Sequence, residues 1–77
     1  MMNHSARFTF STPYAEKLYN SVLPEVKSDP GDRSHVELTK DENCVTLIVK
    51  AEDASALRAS LNMWLRLINV SQELLEL

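Results

Sequence analysis

The last third of the chain, Asp53 to Leu77, carries neither glycine nor proline, and it constrains the fold more than any other stretch. Its residues are mostly good helix formers. Asp53 is a suitable N-cap, because its carboxylate accepts from free backbone N–H groups and suits the positive end of a helix. The stretch reads as one long helix. At roughly 100° per residue, Arg58, Asn62, Arg66, Asn69, Glu73 and Glu76 fall on one narrow polar arc. Leu57, Leu61, Trp64, Leu65, Ile68 and Leu75 form one apolar face. Ala59, Met63, Leu67, Val70 and Leu74 form a second, on the side away from Arg58 and Asn62, with Ser60 and Ser71 in the seam. A surface helix of a small domain normally buries one apolar stripe. Two stripes exceed what the rest of a 77-residue chain can cover. The row Met63, Leu67, Val70 and Leu74 is therefore expected to meet a partner helix or a second subunit.

Length reinforces this expectation. A chain of 77 residues is one domain, spanning 1–77, and buries only about 60% of the surface its unfolded form exposes. Oligomerisation is one usual remedy for so marginal a core. The net charge is −3, from 11 acidic and 8 basic residues, whereas an autonomous nucleic-acid binder is normally basic. The single cysteine, Cys44, leaves no internal disulfide and fits a reducing compartment. No apolar run approaches the roughly 18 residues that span a bilayer, and MMNHSARFTF lacks a signal-peptide layout. A soluble cytoplasmic protein without a membrane partner is expected.

Upstream of the long helix the periodicity changes. Residues 1–5 read as a loose tail. Ala6 to Ser11 alternates, with Phe8 and Phe10 pointing inward and Arg7 and Thr9 outward, as in a half-buried strand. Thr12-Pro13 reads as a helix start, with Thr12 as N-cap and Pro13 in the first helical position. That helix is expected to run to about Leu23 and to stop at Pro24. Ala15, Leu18 and Val22 are its core stripe, flanked by Tyr19 and Leu23 on one side and Tyr14 on the other. Pro24 to Asp32 reads as a polar loop. Arg33 to Lys40 alternates again, with Ser34, Val36 and Leu38 inward, and Asp41-Glu42-Asn43 makes a hairpin turn. Cys44 to Ala51 is the most β-prone run, with Val45, Leu47, Val49 and Ala51 on one face and Ile48 on the other, which suits a central strand. The order strand-helix-strand-strand-helix, with short connections, predicts an α+β fold. It is a three-stranded antiparallel sheet with the third strand in the middle and both helices on one face.

Few residues carry chemistry. His4, His35 and Cys44 are the metal candidates beside scattered carboxylates, and no pair has ligand spacing. Cys44 and His35 lie on neighbouring strands and are the sole nucleophile–base candidates, without a third member or an oxyanion loop. Gly31 is the only glycine, which excludes a glycine-rich phosphate cradle and the GxxG loop of a KH domain. No metal, cofactor or catalytic residue is assigned. Arg33, Arg58, Asn62 and Arg66 are candidates for hydrogen bonds to RNA or to a partner's polar rim, or for an ordinary solvated face.

Three stretches together resemble a known family. They are Leu18-Tyr19-Asn20-Ser21-Val22-Leu23-Pro24-Glu25, then Arg33, then Val45 to Ala51 followed by Asp53 and Leu57-Arg58-Ala59-Ser60-Leu61-Asn62. In that order they resemble the Pcc-type small subunit of the KEOPS (EKC) complex, the CTAG/Pcc family, over roughly Arg7 to Ile68. The loop Lys27 to Asp32 matches nothing in that pattern. The resemblance implies a minimal archaeal-type member and a non-catalytic subunit. KEOPS makes threonylcarbamoyladenosine next to the anticodon of tRNAs reading codons that start with A, and its Kae-type subunit performs the transfer. Pcc-type subunits dimerise, with themselves or a paralogue, bind the Kae-type threonylcarbamoyl transferase subunit through their helices, and help to hold tRNA. Carried onto this chain, the partner-binding candidates are Met63, Leu67, Val70, Leu74 and Tyr19, and tRNA contact is indirect or weak. A transcription role has also been attached to the family, but this chain has no helix-turn-helix pattern and no basic recognition helix.

Two readings from other classes stay open at this point. One is a free-standing homodimeric ligand-binding or regulatory domain unrelated to tRNA. The other is a small enzyme with Cys44 as nucleophile. Capture of a Kae-type subunit from native lysate separates the scaffold from the first, and thiol alkylation that leaves function intact disposes of the second.

Overall fold

A computed structural model describes residues 2–29 and 33–75. The element order is β1 (His4–Ser11), α1 (Ala15–Ser28), β2 (Ser34–Lys40), β3 (Cys44–Ala51) and α2 (Ala54–Leu75). The strands form one antiparallel sheet in the order β1-β3-β2, the α+β arrangement expected. Met1, Glu76, Leu77 and most of the expected loop tip lie outside the described residues.

The hairpin β2–β3 follows from its alternation. Val36 sits opposite Val49 and Leu38 opposite Leu47, so one face of both strands is apolar. The turn at Asp41 closes with its N–H donating to the Cys44 carbonyl at 2.8 Å. On the other side of β3, Phe8 pairs with Leu47 and Phe10 with Val45. Val45, Leu47, Val49 and Ala51 are fully buried, because β3 has a strand on each side and helices above. Val45, Leu47 and Val49 join Ala15, Leu18 and Val22 of α1 and Trp64 and Ile68 of α2 in one core.

Four sequence expectations are corrected. β1 begins at His4 rather than Ala6, so His4 and Ser5 belong to the sheet instead of a tail. Phe10 packs against the core, but Phe8 remains 38% exposed. The cause is coverage: α1 lies over β2 and β3, and α2 is the main helix reaching β1. α1 starts at Ala15, with Tyr14 in the cap position and no side-chain cap. Thr12 is buried and acts one turn earlier, its Oγ1 accepting from the Tyr14 N–H at 3.1 Å.

The fourth correction shapes the surface described below. α1 does not stop at Pro24 but continues to Ser28. Proline deprives the Asn20 carbonyl of its usual i+4 donor, yet Asn20 and Pro24 are both exposed, so water can hydrate the freed oxygen. Val26 packs against the core one residue pair further on, and that tertiary contact holds the last turn helical. α2 has 22 residues, about 33 Å at 1.5 Å each. The eight-residue strands reach roughly 27 Å. No helix of the described chain is long and apolar enough to cross a membrane.

Because Pro24 sits on the solvent side, replacing it removes the defect without disturbing packing. Pro24→Ala is expected to stabilise the fold by roughly 1–2 kcal/mol, the restored hydrogen bond being partly offset by a more flexible unfolded chain. Urea unfolding followed by circular dichroism measures this, and a destabilised variant would contradict the account of α1.

Candidate functional site

α2 buries one row and exposes another. Ser60, Trp64 and Ile68, spaced four apart, are the buried residues, with Ser60 at the seam, where it also lines a surface hollow with Ala59 and Met63. Leu57, Leu61, Leu65 and Leu75 pack around this row. The second row stays open: Met63 is 53%, Val70 49% and Leu74 65% exposed. Leu67 is half-buried and touches the edge of the core. Single exposed apolar residues are ordinary, whereas a contiguous row on one helix face marks an interaction surface.

The row is one side of a groove of about 750 Å³. Ala59, Met63, Leu67 and Val70 line its apolar part, with Trp64 beneath them. Glu25, Ser28 and Asp29 at the end of α1 form one wall, and Asn62 and Arg66 of α2 form the other. This corrects the expected separation of the apolar row from the polar arc, since Asn62 shares the groove with Met63. Leu74 lies further along the helix, outside the groove lining. A smaller hollow lined by Arg33, Ser34, Ala56, Ala59, Ser60 and Met63 adjoins it, with Ala59 and Met63 common to both.

Glu25, Ser28 and Asp29 were not among the sequence candidates. The signal for them was the continuation of the apolar spacing Leu18, Val22, Val26 past Pro24, which places one more turn of α1 beside α2. Tyr19, a partner-binding candidate, is elsewhere. It packs half-buried on the core, and the Lys40 ammonium stands 5.6 Å from its ring centroid, within cation–π range.

The polar candidates divide. Arg58, Asn62 and Arg66 are exposed on α2. Arg33 is tied down: its guanidinium pairs with the Asp53 carboxylate and lies 4.0 Å from Glu52. Its carbonyl accepts from the Glu52 N–H at 3.1 Å. Asp53 also caps α2 as expected, its Oδ1 accepting from the Ala56 N–H at 2.8 Å. That hydrogen bond, and behind it Arg33, hold the Asp53 carboxyl below its ordinary value of 3.8 against partial desolvation. One carboxylate thus fixes the start of α2 and anchors to it the residue that leads into β2.

The cysteine–histidine pairing fails on geometry. His35 sits opposite Lys50, six residues from Cys44 along β3, or roughly 20 Å at 3.4 Å per residue. The two cannot share a proton. Among the described residues no group of three His, Cys, Asp or Glu side chains is placed to hold a metal ion.

Comparison with known proteins adds two findings. A family described as "Transcription factor Pcc1" matches residues 3–76. A curated protein named "KEOPS complex subunit Pcc1", from Pyrococcus abyssi (strain GE5 / Orsay), is 37% identical over 67 residues, which cover 87% of this chain and 82% of that protein.

The Asp53 site carries a pH signature. A carboxyl whose folded pKa lies below its unfolded one stabilises the fold above the unfolded value, and this contribution disappears as pH falls through the folded value. Asp53→Asn keeps a good capping side chain and removes the charge that pairs with Arg33. At pH 6–7 the variant should melt below the wild type. The gap should close as pH falls below 3.8, the ordinary value. Melting curves of both proteins from pH 7 to pH 2 test this, and a gap unchanged by acid would show that the charge is not what Asp53 contributes.

Proposed function

The chain belongs to the Pcc1 family, and from that premise we propose that it is a non-catalytic scaffold subunit of a KEOPS complex. In this reading it supports formation of threonylcarbamoyladenosine on tRNA next to the anticodon. It docks the Kae-type transferase subunit on its exposed helical row, dimerises with itself or a paralogue, and contributes at most a weak contact to tRNA. The observation that carries the proposal is the open row Met63, Val70 and Leu74 beside half-buried Leu67, on a chain similar to a protein named for that complex. Helix-in-groove docking uses such a stripe. The separation of His35 from Cys44 is consistent with a non-catalytic role. The transcription role in the family's description gains no support from a net charge of −3 or from a polar arc that mixes Arg58 and Arg66 with Glu73.

Dimerisation through the sheet is part of the proposal. Within the described chain β1 and β2 each use one edge to pair with β3, and an exposed edge is a template for another strand. Light scattering at micromolar concentration should give a dimer, and a strictly monomeric chain would remove this part of the proposal.

Two substitutions separate docking from folding. Trp64 is fully buried, so Trp64→Ala should cost about 3–5 kcal/mol of stability. Leu67→Glu should leave a folded protein, because Leu67 is at the rim of the core, but abolish capture of the Kae-type subunit. Circular dichroism melting and pull-down on the same two variants are the readout. An unfolded Leu67→Glu would assign the row to the chain's own core instead. Arg58→Ala, at an exposed position, should shift stability by less than about 0.5 kcal/mol while weakening tRNA or partner binding.

A further inference from the structure

The groove's two walls carry opposite charges, and among the described residues no ion pair joins either wall to another charged side chain. Glu25 and Asp29 stand at the C-terminal end of α1, Glu25 in its last turn beside the cation Lys27, which does not line the groove, and Asp29 as the capping residue. A helix C-terminus is its negative end, where carboxylates are disfavoured and cations preferred. Among the described residues neither acid has an ion-pair partner, and neither does Arg66 across the groove. The ion pairs present involve Arg33 with Glu52 and Asp53, and Lys50 with Glu37. Between the walls lie Ala59, Met63, Leu67 and Val70.

We propose that this groove takes a single amphipathic helix of a partner protein, with cationic side chains along the edge facing Glu25 and Asp29 and a carboxylate on the edge facing Arg66. The inference rests on the docking role proposed above and specifies the chemistry of the occupant. The apolar lining from Ala59 to Val70 spans about 16 Å of α2 at 1.5 Å per residue, three turns, which matches the i, i+3, i+4, i+7 anchors of a docked helix. The asymmetry of the walls does a second thing. Turning a helix end for end exchanges its two edges, so a helix with cations on one edge and a carboxylate on the other fits the walls in one direction only. The apolar row supplies contact, and the charges choose the direction and reject helices of uniform sign.

The test uses purified full-length protein and purified Kae-type subunit as the probe, with binding followed by biolayer interferometry at low and at 0.5 M salt. Glu25→Lys/Asp29→Lys should weaken binding about tenfold or more at low salt, since like charges across an interface are strongly unfavourable. Most of that loss should vanish at high salt, where the Debye length falls to a few Å. Glu25→Gln/Asp29→Asn should give a smaller loss and a flatter salt dependence. Melting temperatures should not fall, because Glu25 is exposed, Asp29 is half-exposed and a cation is favoured at this end of the helix. Leu67→Glu is run alongside. If it abolishes binding while both charge variants bind within twofold of wild type, the docking role survives and the charge inference is overturned. If wild type does not bind the subunit at all, both fall. If the charge reversal instead dissociates a dimer in light scattering, the groove holds a second copy of this chain and the inference is overturned.

Discussion

The buried row Ser60, Trp64 and Ile68 is the contact on which the rest of the molecule depends. Trp64 brings the largest side chain in the core, and with Ile68 it joins Val45, Leu47 and Val49 of the central strand and Leu18 and Val22 of α1. A domain this small has one such cluster, and its core is marginal by size. Once that row faces the sheet, helical geometry decides what every other side chain of α2 can do. Leu57, Leu61, Leu65 and Leu75 flank the contact. Met63, Val70 and Leu74 are turned toward solvent, and no element of the described chain is left to cover them. The exposed row is the necessary remainder of seating a long helix, apolar over two stripes, on a short sheet.

Asp53 sets where that helix begins. Its two oxygens serve two elements, one accepting from the Ala56 N–H and the other pairing with Arg33 at the head of β2. The β2–β3 hairpin and α2 are therefore linked at one corner by a charge-assisted contact. The hydrogen bond from Glu52 N–H to the Arg33 carbonyl closes the same corner through the backbone. With the helix origin fixed, the four-residue steps from Ser60 to Ile68 fall over β3 rather than a turn away.

The strands and α2 were legible because their patterns are local. Alternation over Ser34–Lys40 and Cys44–Ala51 states which face is buried, and a carboxylate before a run without glycine or proline states where a helix starts. Phe8 was misjudged because alternation gives the face of a strand and not the extent of its cover, which depends on where two helices come to lie. Pro24 misled for a related reason. Its local preference is to end a helix, and the packing of Val26 four residues after Val22 overrode it. The cost of that error fell on the candidate site. Ending α1 at Leu23 removes the turn that bears Glu25, Ser28 and Asp29, so the apolar row on α2 looked like an open face when it is one side of a groove. The separation of Asn62 and Arg66 from the row has its own cause in the α2 wheel: Arg66 is three residues after Met63 and four before Val70, so helical spacing makes them neighbours.

The energetics of the exposed row explain why the groove's walls matter. Full burial of a Met, Val or Leu side chain is worth roughly 1.5–3 kcal/mol. Met63, Val70 and Leu74 already hide between about a third and a half of their surface, so covering the remainder gains roughly 1–2 kcal/mol each. Three such residues give roughly 3–6 kcal/mol, while association costs an estimated 4–15 kcal/mol in lost freedom of motion. The apolar row alone therefore makes at best a weak contact and one with little preference for any particular helix. Stable, selective docking on so small a domain needs either further contacts beyond the row or a second groove engaged at once. In the docking proposed above, opposite charges on the two walls supply selectivity for the first, since they act on direction and sign rather than on area. The dimer proposed above would supply the second, because two grooves held at fixed separation make the second docking event intramolecular.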